Sequence, residues 1–524
     1  MPFIPKDTLF VGGSIQTMDS ANPQTEALLL RGERILALGE EAELRTLAAP
    51  DVKVVNLAGA CVLPGFHDSH VHLTQHGLEL GQVRLESART LQEGLQLVAQ
   101  RVAQEPAGTW ILGAGFLMSR WNVAELTRQQ LDEVAPEHPV ILRSQDHHSA
   151  WVNSKALELS GISADTPDPD NGKIVRGADG KPTGMLLERA LHSVMDSVPL
   201  PSKAQLDEAL QIAAQDFASL GITTVHHMAY EPVSYWQQIA LKASSPEYPV
   251  RVWACVDHAL IEQAADLGLA TGQGGEHFQI GGAKFFVDGA LGSLTAWMLE
   301  PYQGTSTTGV VIDGPQILRE RFPKAIQAGL VPVCHAIGDA AVREVLNVLE
   351  ELRDLWQKRN LRPRIEHAQH LQPDDIKRFG ELGITVSAQP LHLRFDAKRA
   401  GELLGERLSM THPWRGFKDG GALIAFGSDT PIASPGVIAG LQTATQRVSE
   451  EGRAVHPEQA LTLQESLTAY TCDAARAIHW EHRSGQLKAG YDADIVILSA
   501  PPQEGLADLK VTATMKAGRW TFGK

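Results

Sequence analysis

The sequence predicts an α/β protein built around a closed (β/α)8 barrel, with a small sheet domain made from both chain ends and an insertion after the first barrel strand. Three observations carry this prediction. Eight β-type apolar runs alternate with amphipathic helical stretches through the middle of the 524-residue chain, the pattern of a parallel sheet covered on both faces, and eight such units close into a barrel. Short β segments crowd both ends of the chain. One gap between runs far exceeds the length of a single βα crossover.

The N-terminal segment reads as short strands, TLFVGGSIQTM, EALLLRGERILALG and VKVVNLAGACVLPG, each punctuated by Gly or polar turns. GQLKAGYDADIVIL and VTATMKAGRW near the C-terminus have the same texture. Neither end can bury much alone, so the two combine into one small sheet domain, 1–61 with 483–524, around a barrel over 62–482. The first barrel run is CVLPGF. ITTVHHM, YPVRVWACVD, FQIGGAKFFVD, LVPVCHA, RPRIEHAQ, ITVSAQP and ALIAFGSD follow it, with helical stretches such as LDEALQIAAQDFASLG and AVREVLNVLEELRDLWQK in most of the gaps. The long gap, 74–201, carries its own turns (PDPDNGK, GADGKPTG) and apolar runs (WILGAGF, PVILRS). It reads as an insertion at the barrel mouth, or as an independent domain elsewhere in space.

Composition narrows the function. The 46 Lys and Arg against 62 Asp and Glu leave a net charge of −16 with no basic run, which argues against a nucleic-acid partner. The four cysteines, Cys61, Cys255, Cys334 and Cys472, form no C-x-x-C, so neither a zinc knuckle nor a disulfide framework is expected and a reducing compartment fits. MPFIPKDTLFVGG has no charged leader followed by a long apolar core, and no segment reaches membrane-spanning length without charges. The expectation is a cytoplasmic protein with a small-molecule partner and no membrane.

Chemistry concentrates where those runs end. In GFHDSHVHL, His70 and His72 are two residues apart, a spacing that aims both side chains to one side at a strand end and suits a divalent metal of the zinc type. The fourth run contains Lys284, the fifth ends with His335, the sixth with His367 and the eighth with Asp429. A barrel assembles its site from these C-terminal strand ends, so four imidazoles, a carboxylate and a lysine converge on one rim. An ammonium repels a cation and has no lone pair to donate. Lys284 is therefore either carboxylated by carbon dioxide to an anionic carbamate or paired with Asp288 or another acid, and spacing does not choose between them.

The motifs GFHDSHVH, GGAKFFVDGALGS, CHAIGDAA, RIEHAQHL and GSDTPIASP resemble the amidohydrolase superfamily, in particular its amidohydrolase family 3 group. The resemblance extends to DHHSAWVNSKALELSGI in the insertion and SGQLKAGYDADIVIL near the end. It implies a distorted (β/α)8 barrel with a small β-sandwich formed by both ends, and a mononuclear or binuclear metal hydrolase. By position, His70, His72 and Asp429 would hold the more buried metal, His335 and His367 the more exposed one, and Lys284, as a carbamate, would bridge them. Zinc is the usual ion, with manganese and iron as alternatives, one or two per chain. The implied reaction is hydrolysis of an amide-like C–N bond, not a peptide, by a metal-activated water, with Asp429 as the base that later protonates the leaving amine. A homodimer is the family expectation. The N-formyl, N-acyl, cyclic amide, carbamate and ester substrates all stay open.

Two other readings compete. A mononuclear deaminase of the same superfamily would carry His-x-x-Glu after the fifth strand, whereas this chain has His335 followed by Ala336, Ile337, Gly338 and Asp339, so Asp339 would have to substitute. A noncatalytic scaffold would be marked by lost ligands, and none is lost. Trp121 and His148 in the insertion either line the pocket or pack beneath a lid, and Asp288, His370 and Gln389 are further candidates for substrate contact. His226 and His227 follow the second strand, where one of them could face the barrel mouth. The Gly-rich TGQGGEHF lacks the Gly-Lys-Ser/Thr ending of a phosphate loop and reads as a turn.

Overall fold

Strands β1 (Phe66–Val71), β2 (Ile222–His227), β3 (Arg251–Asp257), β4 (Phe278–Phe286), β5 (Pro332–Ala336), β6 (Arg364–His367), β7 (Thr385–Ala388) and β8 (Ile424–Phe426) lie side by side in chain order in one parallel sheet. The computed structural model describes residues 6–144, 148–229 and 231–523. The sheet closes on itself between its first and last strands: the Asp429 amide donates to the His70 carbonyl at 2.7 Å, and the His72 amide to the Thr430 carbonyl at 2.9 Å. This closure sets the first and last sequence motifs beside each other.

The strands are buried almost throughout, as a sheet with a filled interior and a helical outer layer requires. The outer helices supply matching stripes. Asp339–Glu351 turns Val342, Val345, Leu346 and Leu349 inward, a 3.6-residue period read directly from its sequence.

Both chain ends meet in the small domain. One sheet has four strands, Arg34–Gly39, Ala27–Arg31, Asp7–Val11 and Lys53–Asn56. The other has six, in which Cys61–Pro64 pairs antiparallel with Ile495–Leu498, Cys61 opposite Leu498. Phe10, Leu28, Val62, Ile495 and Met515 share the core between them.

The run CVLPGF was expected to be the first barrel strand, and this is corrected: Cys61–Pro64 belongs to the small domain and the barrel starts at Phe66. The switch occurs at Gly65. Its amide donates to the Asp494 carbonyl of the small domain, whereas the next amide, Phe66, donates to Gly221 at the root of β2. A Cβ at residue 65 would lie 2.3 Å from Thr223 Oγ1, so only glycine lets the chain pass from one sheet to the other here.

Residues Gly77–Ala209 form a compact unit of their own. Its six-stranded sheet runs Gly172–Arg176, Pro182–Glu188, Ser149–Val152, Val140–Ser144, Ile111–Phe116 and Val83–Arg84. Phe116, Trp121 and Trp151 pack edge to face or tilted in its core, with ring centroids 6.2–6.4 Å apart. Among the described residues no helix is long and apolar enough to cross a membrane, and the four cysteines are free thiols.

Candidate metal centre

His70 is the fifth residue of β1 and lies near its C-terminal end, with 1% of its surface exposed. Its Nδ1 lies 2.7 Å from Glu366 Oε2. A carboxylate only accepts, so Nδ1 carries the proton and Nε2 presents its lone pair. That lone pair faces Asp429 Oδ1 at 3.3 Å, and His72 Nε2 approaches the same oxygen at 3.2 Å. The i and i+2 imidazoles thus converge on one carboxylate oxygen.

His367 ends β6 and arrives from the opposite side. Its Nδ1 donates to Gln389 Oε1 at 2.8 Å, again leaving Nε2 as a donor of electrons. One donor atom each from His70, His367 and Asp429 lies within 4.8 Å of the others. This trio draws on both of the ligand sets expected from the resemblance. The His335 ring, at the end of β5, packs against that of His367 with centroids 4.4 Å apart, and its Nε2 donates to the Gly289 carbonyl at 3.1 Å.

Two of these residues sit in backbone conformations that side-chain-bearing residues seldom adopt, with φ of 71° at His367 and 62° at Asp429. Such positions cost about 1–3 kcal/mol each and persist only where neighbours hold them. Here the Asp429 amide is tied to His70, and the Ala368 amide to Ala336.

Electrostatics prepare the centre for a cation. Burial pushes His70 down to about 4 and His335 down to about 3, so both are neutral near pH 7 and keep a lone pair. Burial alone would raise the Asp429 carboxyl, but the imidazoles around it, His70 and His392 by charge when protonated and His72 by hydrogen bond, outweigh it and hold the group below the usual carboxylate range. A lone pair of His70 facing a carboxylate oxygen with no donor between them is a repulsive arrangement that a divalent ion resolves. Lys284 adds a second sign. It is 1% exposed, burial lowers its affinity for a proton, and its Nζ has no hydrogen-bond partner. The expected alternative of an ion pair with Asp288 does not form, because the Asp288 oxygens accept from the amides of Trp297, Ile337 and Gly338 at 2.8–3.0 Å.

A cavity of about 590 Å³ opens over this centre, lined by His70, His72, His335, His367 and Asp429 among others. Its remaining lining differs from the expected substrate contacts. Asp288 is engaged by backbone behind His335, Gln389 stands behind His367, and His370 is bonded to Thr411 Oγ1 at 3.0 Å. Trp121 is a core residue of the inserted unit, its indole N–H donating to the Ala88 carbonyl at 2.9 Å. His148 is exposed and lies 3.1 Å from Glu188. None of these five lines this cavity: Trp121 packs in a core, Asp288, Gln389 and His148 are hydrogen-bonded where they stand, and His370 is bonded through Nδ1 while its buried Nε2 has no hydrogen-bond partner. His226 and His227 are fully buried within β2. Asp339, the acid a deaminase would need, accepts from Leu299 N and Gln372 Nε2 and is absent from the cavity lining.

Five positions around the centre and its cavity were not anticipated. Glu366 orients His70 and is itself clamped by Arg364, whose Nε and Nη2 reach its two oxygens at 2.6 and 3.0 Å. Arg364 and Glu366 are two residues apart on β6 and share its inward face, so strand periodicity in RIEH held the signal. His392, on the helix Pro390–Leu404, lies 3.6 Å from Asp429 Oδ2 with its ring stacked on His367. The same helix brings Phe395 and Asp396 to the cavity, at the i+3 and i+4 spacing that puts them on the face of His392.

Sequence and structure comparisons agree with this architecture. A family model described as the amidohydrolase family matches residues 53–522. The chain is 33% identical to YtcJ of Bacillus subtilis over 505 residues, covering 94% of each protein. It is 29% identical to the N-substituted formamide deformylase of Arthrobacter pascens over 540 residues, covering 98% of each. The crystal structure of an uncharacterized metal-dependent hydrolase from Pyrococcus furiosus superposes with a TM-score of 0.79 at 26% identity, covering 95% of this chain and 99% of that one. A nearly whole-chain family match, an eight-stranded parallel barrel and a His, His, Asp donor trio at its strand ends together establish that the chain belongs to the amidohydrolase family of metal-dependent hydrolases.

Proposed function

We propose that this hydrolase cleaves a non-peptide, amide-like C–N bond of a small molecule, releasing a carboxylate and an amine. The observation that carries the reading is the convergence of His70 and His72 on Asp429 Oδ1 at the floor of an open cavity. His70, His72, His367 and Asp429 would hold one divalent ion, zinc by donor type, and His335 with Lys284 a second. Bound there, the ion supplies Lewis acidity to the substrate carbonyl and acidifies water.

The chain's own groups supply the proton traffic. Asp429, held ionised among the imidazoles, takes a proton from the attacking water and delivers it to the leaving nitrogen. His392, 3.6 Å from Asp429 Oδ2, faces the oxygen that does not meet His70 and His72. Lys284, buried and without an acceptor, is suited to react as the free amine with carbon dioxide, forming an N–C bond and losing one proton to leave an anionic carbamate. The 29% identical relative named for N-substituted formamides supports the amide side of this reading.

The test is elemental analysis of protein purified without chelators, followed by assay on an N-formyl amine, an N-acyl amine, an ester and a dipeptide of matched size. One or two divalent ions per chain and amine release from the two amides are expected, with Asp429→Asn reducing turnover by about 10²–10⁴-fold. A metal-loaded protein that cleaves the ester or the dipeptide and leaves the amides intact overturns the proposal.

A further inference from the structure

The cavity has an uneven chemistry away from the metal centre. Phe286, Leu291, Ile337, Phe395 and Ile432 supply apolar surface, and Phe395 and Ile432 are 48% and 67% exposed, so the apolar lining continues to the rim. Among the described lining residues none is Lys or Arg. The acid that stands apart from the centre is Asp396, fixed by Gln369 Nε2, which donates to its Oδ2 at 3.0 Å. Gln369 is 1% exposed, so its amide is held by the surrounding packing. Among the described residues no Lys, Arg or His forms an ion pair with Asp396. The nearby Arg399 of the same helix is engaged with Glu402 at 3.1 Å.

From this we infer that the substrate pairs an apolar group with a neutral or cationic remainder, and that Asp396 excludes substrates bearing a carboxylate. An anionic group brought beside Asp396, away from the metal centre, gives up its water and meets a like charge with no Lys or Arg in the lining to balance it. An ammonium in the same place gains a partner whose orientation is already set. The inference rests on the amide-hydrolase reading and deepens it: of the open substrate classes, N-acyl amines fit the cavity and N-acyl amino acids do not.

The experiment measures binding, so that it stands whether or not turnover is seen. Three non-hydrolysable methanesulfonamides share one phenethyl skeleton: those of phenethylamine (neutral), phenylalanine (carboxylate) and, through nitrogen 2, 3-phenylpropane-1,2-diamine (ammonium). Each is titrated calorimetrically into the metal-loaded protein and into Asp396→Asn. The neutral and ammonium compounds are expected to bind at least about tenfold more tightly than the carboxylate. In Asp396→Asn the gap between ammonium and carboxylate narrows by about tenfold while the neutral compound changes by less than about twofold. Equal or tighter binding of the carboxylate, a gap that ignores residue 396, or binding by none of the three overturns the inference. The acetamides of the same amines, assayed in parallel, report on amide hydrolysis itself. Failure there with the binding order intact removes the proposed reaction and leaves the charge selectivity standing.

Discussion

His70 and Glu366 are joined by a 2.7 Å hydrogen bond between Nδ1 and Oε2, fully inside the barrel. Glu366 cannot drift, because Arg364 grips both of its oxygens while also donating to the Ser69 carbonyl and to Ser387 Oγ at 2.5 and 2.7 Å. The Arg364 Nη1 contacts His226 Nδ1 at 3.0 Å, and His226 meets His67, which reaches Ser484 Oγ. A chain of polar contacts therefore runs from the metal-facing imidazole through the barrel interior to Ser484.

Glu366→Gln tests the orienting role. The amide can still hydrogen-bond but no longer neutralises Arg364 or reliably accepts from His70. We expect metal affinity, measured by competition with a chromophoric chelator, to fall about 10–100-fold. An uncompensated Arg364 should also lower stability by about 3–5 kcal/mol. Wild-type metal affinity in a folded variant would show that His70 needs no such support.

For Lys284→Ala, loss of bound metal and of turnover is expected, with partial recovery of both on adding formate or acetate, which replace the missing carbamate oxygens. A lysine that merely fills space predicts no rescue at any concentration of acid.

Stability should fall with acid through groups that are not ligands. Burial holds His67 and His370 down to about 3, and His226 and His412 well below the ordinary 6.5. As pH drops below about 6.5 the unfolded chain takes up protons that the folded one refuses, so stability declines across that window. Asp68 and Asp288, raised to about 7 by burial, act in the opposite sense and offset two of the four. Each uncompensated histidine removes about 1.4 kcal/mol per pH unit. The urea midpoint should be lower at about pH 5 than at about pH 7; a higher one at the acidic value contradicts this balance.

Trp121→Ala separates packing from chemistry. Removing the indole opens a void beside Phe116 and Trp151 and strands the Ala88 carbonyl, at a cost of about 3–5 kcal/mol. Limited proteolysis within Gly77–Ala209 should accelerate while the metal content stays at the wild-type level. A drop in metal content without faster cleavage would return Trp121 to the site.

The strand ends were legible in the sequence because a barrel's geometry is repetitive: a residue at the end of any β run faces the same rim. His70, His72, His335, His367 and Asp429 could be collected from their positions alone, and all five line one cavity. Lys284 was legible as a problem, a cation where cations are unwelcome, and its burial without a hydrogen-bond acceptor sharpens that problem. Other features depend on neighbours that local periodicity does not specify. The unbroken apolar run CVLPGF hides a change of sheet at Gly65, decided by whether the next amide finds Asp494 or Gly221. Trp121 has the composition of a pocket residue and the surroundings of a core residue. Glu366, His392 and Asp396 acquire roles only when closure of the sheet carries β8 back to β1 and lays the helix Pro390–Leu404 over the rim. Sequence alone determined the repeating β and α units and the chemistry at their ends, because these are encoded within a few residues. Tertiary structure decided which imidazole meets which carboxylate and which charge the cavity will admit, because those depend on contacts between residues hundreds of positions apart.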